Sequence, residues 1–399
     1  MVNRVMALWQ RDKANLPLTL QVLDSLFAEQ AWALAETFFQ QIPPQNRQRA
    51  EVCGKHIEFL IHQHQPEQAA IEAADLYHSD DTDNHKHPIA LHYLALSHYL
   101  NGELQALLDL VSSASQLTPE TVILQARAYY HKGHQGDIPR AIDVLTGITS
   151  GGGSEGISEG KSYQAEVLGL LAMLYLDADM LEKVLPLAEQ ALALQPQQPD
   201  ALLAQASYFV NKHQMVPALP VIEQLLNLQP NNGRAMSIYG QILFFDFKLD
   251  LAIGAFKQAV KFMPDHVGSW HLLGWSYFVS GQLDEANRIF NTALELDRNF
   301  AESHGALAVV AVTQQKLDQA QALAKVALRL NANSFAGLYA RSLIAGQLGN
   351  QTEATAIVNN ILANPSHIAG QSYQQLVNDV LLHLDQKQKQ DQQQKQSQQ

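Results

Sequence analysis

Cysteine is almost absent: Cys53 stands alone among 399 residues. A disulfide within the chain is therefore excluded, and no cysteine pair is available to a zinc site. This usage fits a reducing compartment. Long apolar runs are missing as well. The longest, Ala306–Val312, falls far short of the ~20 residues that a membrane helix requires. The N-terminal MVNRVMALWQRDKANLP lacks the apolar core of a secretory signal. A cytoplasmic protein without direct membrane insertion is expected. Positive charge is scarce too, with 26 Lys and Arg against 39 Asp and Glu, a net charge of −13. Nucleic acids and anionic membranes both call for a basic footprint, so neither is an expected partner.

What the chain does have is a period. Leu168, Leu202, Met236, Trp270, His304 and Leu338 follow one another at intervals of 34 residues. Four positions after each comes a small residue: Ala172, Ala206, Gly240, Gly274, Ala308 and Ser342. Sixteen positions after each lies Val184, Ala218, Ala252, Ala286, Ala320 or Ala354. Within a unit the first apolar positions fall on one helical face. A second helix packs on that face, and the small residue admits its backbone closely. Ser280-Gly281 and Gly349-Asn350 mark turns between the helices. Asp250, Asp284 and Asp318 recur where second helices begin, with a carboxylate near the positive end of the dipole. Pro186, Pro217 and Pro220 are placed in or near the same first turn, where a missing amide hydrogen costs little.

Trp270, Leu273, Gly274, Tyr277, Ala286 and Phe290 reproduce W-x2-L-G-x2-Y…A-x3-F. The chain resembles the tetratricopeptide repeat family through these residues, most strongly over Ala165–His367. Arg298, Ala332 and Ser366 depart from the pattern, since each replaces its usual closing proline. Ala311, Ala324 and Ala345 replace large residues, which predicts thinner interfaces in the last two units. Weaker units are read at Leu16–Pro44, Lys55–Tyr77 and Pro88–Thr121, and from Pro119 onward. The resemblance implies an all-α fold. It is a right-handed α-solenoid superhelix of roughly ten helix pairs with a C-terminal capping helix.

The expected organisation has five parts: a degenerate array over 1–146, a Gly/Ser-rich insertion over 147–164, a six-repeat array over 165–368, a capping helix over 369–385 and a disordered Gln/Lys tail over 386–399. The insertion reads equally as a hinge or as a lengthened loop.

Three motifs suggest chemistry. Gly151, Gly153 and Gly156 spell G-x-G-x-x-G, but they follow a helical pattern instead of a strand. Gly160-Lys161-Ser162 resembles the end of a phosphate-binding loop, with Glu155 where glycine is needed. His78–His87, HSDDTDNHKH, holds nitrogen and oxygen donors in no standard metal spacing. Cys53 reads as a small apolar filler. No nucleophile has a matched base, so no enzyme, cofactor or metal is expected. A nucleotide- or metal-dependent enzyme remains the rival class.

In the tetratricopeptide repeat family the first helices line a groove, at offsets −2, +1, +5, +8 and +9 from the Trp270 equivalent. Carried onto this chain, the resemblance names Met173, Asn211, Arg234, Gln241, Phe244, Phe245, His271, Trp275, Phe278 and Tyr339. In the N-terminal half it names Arg127 and Tyr130. Lysine is absent from all these positions, which disfavours the carboxylate clamp of some relatives. The aromatic content points to a protein or peptide partner with an apolar segment, helical or extended. A scaffold or adaptor is the leading expectation. A chaperone for a bacterial secretion or pilus component is the alternative, and homo-oligomerisation stays open.

Overall fold

A computed structural model describes residues 2–79, 87–114, 116–133, 136–150 and 161–363. Among them every regular element is a helix. The chain divides into two units, Met1–Val167 with Asp177–Asp179, and Leu168–Leu176 with Met180–Gln399.

The first unit carries α1 (Val2–Trp9), α2 (Leu16–Ala28), α3 (Trp32–Gln41), α4 (Pro44–Arg47), α5 (Ala50–His62), α6 (Pro66–Tyr77), α7 (Pro88–Leu100), α8 (Leu104–Ser112), α9 (Pro119–Lys132) and α10 (Asp137–Ser150). Helix α11 (Lys161–Asp177) contributes residues to both units. The second unit continues with α12 (Leu181–Leu194), α13 (Pro199–Asn211), α14 (Met215–Leu228), α15 (Gly233–Phe245), α16 (Leu249–Phe262), α17 (Val267–Val279), α18 (Leu283–Leu296), α19 (Ala301–Thr313), α20 (Leu317–Leu330), α21 (Phe335–Gln347) and α22 (Gln351–Ala363).

The 34-residue period has a direct structural cause. In the second unit α14, α16, α18 and α20 each pack on the first helix of their own pair and on that of the next. First helices also meet in series, α13 with α15, α15 with α17, α17 with α19 and α19 with α21. Gly274 shows why a small residue is needed at its position. A Cβ there would stand 2.4 Å from the Phe290 ring, which the glycine admits to full burial. Gly240 stands in the same relation to Phe256. Trp270 closes the unit by donating its indole N–H to the Pro264 carbonyl at 2.7 Å.

The turn between paired helices repeats just as strictly. His213, Phe247, Gly281, Gln315 and Gly349 all have positive φ, between 55° and 82°. Glycine adopts that conformation freely, whereas the other three residues hold it under strain. The aspartates lie where expected: Asp250, Asp284 and Asp318 are the second residues of α16, α18 and α20. The prolines need a correction. Pro217 is the third residue of α14, but Pro186 and Pro220 lie deeper, as the sixth residues of α12 and α14. Both are exposed, so the carbonyls they leave unpaired stand where water reaches them.

The last pairs also depart from expectation. Ala311, Ala324 and Ala345 are buried, and the helices close in around small residues instead of packing thinly. A Cβ at Gly305 would stand 2.4 Å from the Gly337 amide nitrogen. The backbones of α19 and α21 therefore approach closely, and ten of the thirteen residues of α19 are buried. Glu302 ties the two helices by accepting from the Phe335 and Ala336 amides at 3.0 and 2.9 Å. Those amides are orphan donors of the first turn of α21, where a carboxylate is favoured.

In the first unit, α1 and α4 fall outside the expected units. Helix α1 packs on α2, and its Trp9 is fully buried. The Trp9 indole donates to Thr19 Oγ1 at 3.1 Å and meets the Phe38 ring edge-on at 4.7 Å. Helix α5 starts at Ala50, five residues before the expected Lys55. Of the Gly/Ser-rich stretch, Gly147–Ser150 continues α10 and Lys161 opens α11. Residues 151–160 lie outside the described residues, as do most of the histidine-rich loop, the expected capping helix and the Gln/Lys tail.

Candidate partner-binding face

The first helices of the second unit carry nine of the residues that the sequence singles out, from Asn211 to Tyr339. On α15, Phe244 and Phe245 meet edge-on at 5.8 Å, and Phe245 meets His213 at 5.6 Å. On α17, Trp275 and Phe278 meet edge-on at 5.4 Å. Trp275 also touches the buried Phe290 ring at 5.6 Å. Phe244, Trp275 and Phe278 rest, half-buried, on the core built from α15 to α19. Trp275 and Phe278 rest as well on the next core, together with Tyr339 and Leu343 of α21. The face is thus a band of partly covered aromatic side chains on α15, α17 and α21, interrupted at α19 by small and aliphatic residues.

His271 belongs to the same face and is half-buried, with its Nδ1 shielded from solvent. Its Nε2 accepts the Trp275 indole N–H at 2.8 Å. Its ring packs against Phe290 and Phe300 at 5.4 and 5.5 Å. Burial pushes its pKa down to about 4, so the imidazole is neutral.

Polar residues border the band. Asn211 bonds back to the Ser207 carbonyl at 2.9 Å, and Gln241 reaches the Ser237 carbonyl at 3.5 Å. Arg234 is half-buried on α15. Tyr339 stacks on the exposed Phe335 at 6.2 Å. Met173, on α11, is different: it is 3% exposed and offers almost no surface. Leu203, Ser207 and Val309 are buried as well.

In the first unit, Arg127 is paired with Glu166 at 3.0 Å, and the Tyr130 hydroxyl donates to Asp177 at 2.6 Å. Two cavities here went unseen from sequence. One of about 410 Å³ is lined by Asp24, Glu51, Lys55, His92, Tyr93 and Glu120, among others. Lys55 bridges Asp24 and Glu58 at 2.9 and 3.1 Å. Burial, and then Glu58, push the Tyr93 phenol well above its ordinary range. Burial also lowers the pKa of His92. The second cavity, of about 560 Å³, includes Glu36, Arg47, Cys53, His56 and Glu72 in its lining. His56 pairs with Glu72 at 2.7 Å. Burial, and then the Glu72 charge, push the Cys53 thiol up to about 11, which keeps it protonated and unreactive. The Glu51–Lys55 spacing of four residues on α5 is a sequence signal for the first cavity, which both side chains line. Among the described residues no group of His, Cys, Asp and Glu is placed to hold a metal ion. No helix among them is long and apolar enough to cross a membrane.

Residues 246–310 match the family model described as tetratricopeptide repeat, a stretch that contains Trp270 through Phe290. No curated protein matches the chain. Several solved structures are similar in fold. One is Pseudomonas aeruginosa pilF, 18% identical, covering 51% of this chain and 92% of that one, with a TM-score of 0.43. YrrB, described as "a TPR protein with an unusual peptide-binding site", is 22% identical over 46% of this chain and 95% of its own, with a TM-score of 0.39. The APC/C hetero-tetramer Cut9-Hcn1 is 12% identical over 89% of this chain and 80% of that one, with a TM-score of 0.44. Similarity at this level says nothing of function.

Proposed function

We propose that this chain is a noncatalytic interaction scaffold that binds an apolar segment of a partner protein on the first-helix face of its second unit. One observation carries the reading: Phe244, Phe245, Trp275 and Phe278 all keep partial exposure, while Phe244 rests on one buried core and Trp275 and Phe278 rest on that core and the next. Large aromatic side chains held rigidly at a surface supply contact area at little entropic cost. Covering each could contribute ~1.5–3 kcal/mol before ordering costs. The polar border of Asn211, Arg234 and Gln241 would orient the segment without supplying much of its affinity.

The test is affinity capture with the full chain, repeated with Trp275→Ala combined with Phe278→Ala. Loss of a specific captured protein, with helical circular dichroism retained, supports the reading. Undiminished capture moves the site elsewhere.

A further inference from the structure

The aromatic band contains one polar side chain whose placement costs stability. The indole N–H of Trp275 is a donor only, and it lies 2.8 Å from His271 Nε2. Nε2 must therefore be the bare nitrogen, and in the neutral ring Nδ1 carries the hydrogen. His271 Nδ1 is shielded from solvent and has no hydrogen-bond partner. Its surroundings are the Phe290 and Phe300 rings, the latter nearly perpendicular to the imidazole at 86°. A phenyl ring would fill this space without leaving a buried N–H unmet.

The repeat frame sharpens the point. The positions equivalent to His271 hold Gly169, Leu203, Ser237, Gly305 and Tyr339. Those equivalent to Trp275 hold Met173, Ser207, Gln241, Val309 and Leu343. The helical framework therefore needs neither residue, and the two occur together, four residues apart on α17, in one repeat.

We propose that His271 is a positioning residue for the binding face: its Nε2 holds the Trp275 indole in one orientation and so presets the surface that a partner's apolar segment meets. Without that acceptor, the indole N–H must turn toward water to be satisfied, and the ring leaves the position where it touches Phe278 and Phe290. A preset ring adds affinity because less freedom is lost on binding. This inference rests on the proposed binding face, but its first readout needs no partner.

The experiment compares His271→Phe with His271→Gln in the full chain. Phenylalanine keeps the ring volume and removes the acceptor, while glutamine keeps an acceptor. The chain has four tryptophans, so ¹⁵N-labelled indole resonances are few, and loss of one in Trp275→Phe assigns it. The Trp275 indole proton should be protected from exchange in the wild type and in His271→Gln, and unprotected in His271→Phe. Unchanged resonance and protection in His271→Phe would overturn the proposal. A second measurement uses a fluorescent amphipathic peptide of leucine, phenylalanine and lysine as the probe. His271→Phe should weaken its binding by about 5-fold, the scale of one hydrogen bond, and His271→Gln should restore it. Equal binding by both variants overturns the link to affinity. Equal binding by Trp275→Ala and wild type would instead refute the binding face itself, leaving the indole result to stand alone.

Discussion

Gly305 and Gly254 receive the same substitution with opposite expected signs. Both sit inside helices, α19 and α16, where replacing glycine by alanine should gain up to ~1 kcal/mol from backbone entropy alone. Around Gly254 an added Cβ meets nothing within 4 Å, so Gly254→Ala should keep that gain. At Gly305 the same carbon would stand 2.4 Å from the Gly337 nitrogen and 2.6 Å from the Ala336 carbonyl carbon. Those atoms belong to backbone and cannot swing aside as a side-chain end would. The helices must part, and a parted α19–α21 interface loses contact along its length. Overpacking of this kind costs about 1–3 kcal/mol, which outweighs the helix gain. The helix gain is common to both, so the two variants should differ by the overpacking cost, roughly 1–3 kcal/mol, although their chemistry is identical. Urea unfolding followed by circular dichroism would read the ordering of midpoints. Hydrogen exchange over α19 and α21 would locate the loss, as stacked repeats need not unfold as one unit. If Gly305→Ala proves as stable as Gly254→Ala, the close approach assigned to these helices is wrong.

Other consequences follow from single sites. Gly281 has a φ of 82° in the turn between α17 and α18, so Gly281→Ala should lower stability by ~1 kcal/mol, read as a fall in the urea midpoint. Glu302→Gln should cost about 1 kcal/mol and speed exchange of the Phe335 and Ala336 amides, because a neutral acceptor is weaker at a helix start. Unchanged exchange there would remove the cap. His271 has a folded pKa near 4 against an unfolded value near 6.5, so the unfolded chain binds the extra proton between them. Stability should thus be fully present above pH 6.5 and fall as acid is added through pH 4, by roughly 3 kcal/mol from this group. His271→Phe should flatten that slope, and an identical slope in both proteins would contradict the burial of the imidazole.

The sequence carried the period plainly because every repeat must solve the same packing problem. Gly274 beneath Phe290, and Ala286 one turn before Phe290 on the same buried face of α18, are forced by contact and so recur at fixed intervals. The turns were legible only where glycine marks them. Phe247 and Gln315 adopt the same positive φ under strain, which no propensity rule reveals. Helices α1 and α4 escaped notice because neither belongs to a pair, and their fit depends on distant partners such as Thr19 and Ala14. The candidate face was named by frame position alone, and position does not report depth. Met173 and Val309 share Trp275's frame position, yet both are buried while Trp275 is not. His271 was named for its position, with no sign of its bond to Trp275, since an i to i+4 pair becomes an interaction only once both rotamers are known.

The aromatic band is tested most directly by calorimetric titration of a partner segment, once captured, into wild type and into Trp275→Ala combined with Phe278→Ala. Removal of two central aromatic contacts should weaken binding by about 30-fold or more while far-UV circular dichroism stays unchanged. Equal affinity for the two folded proteins would contradict the account.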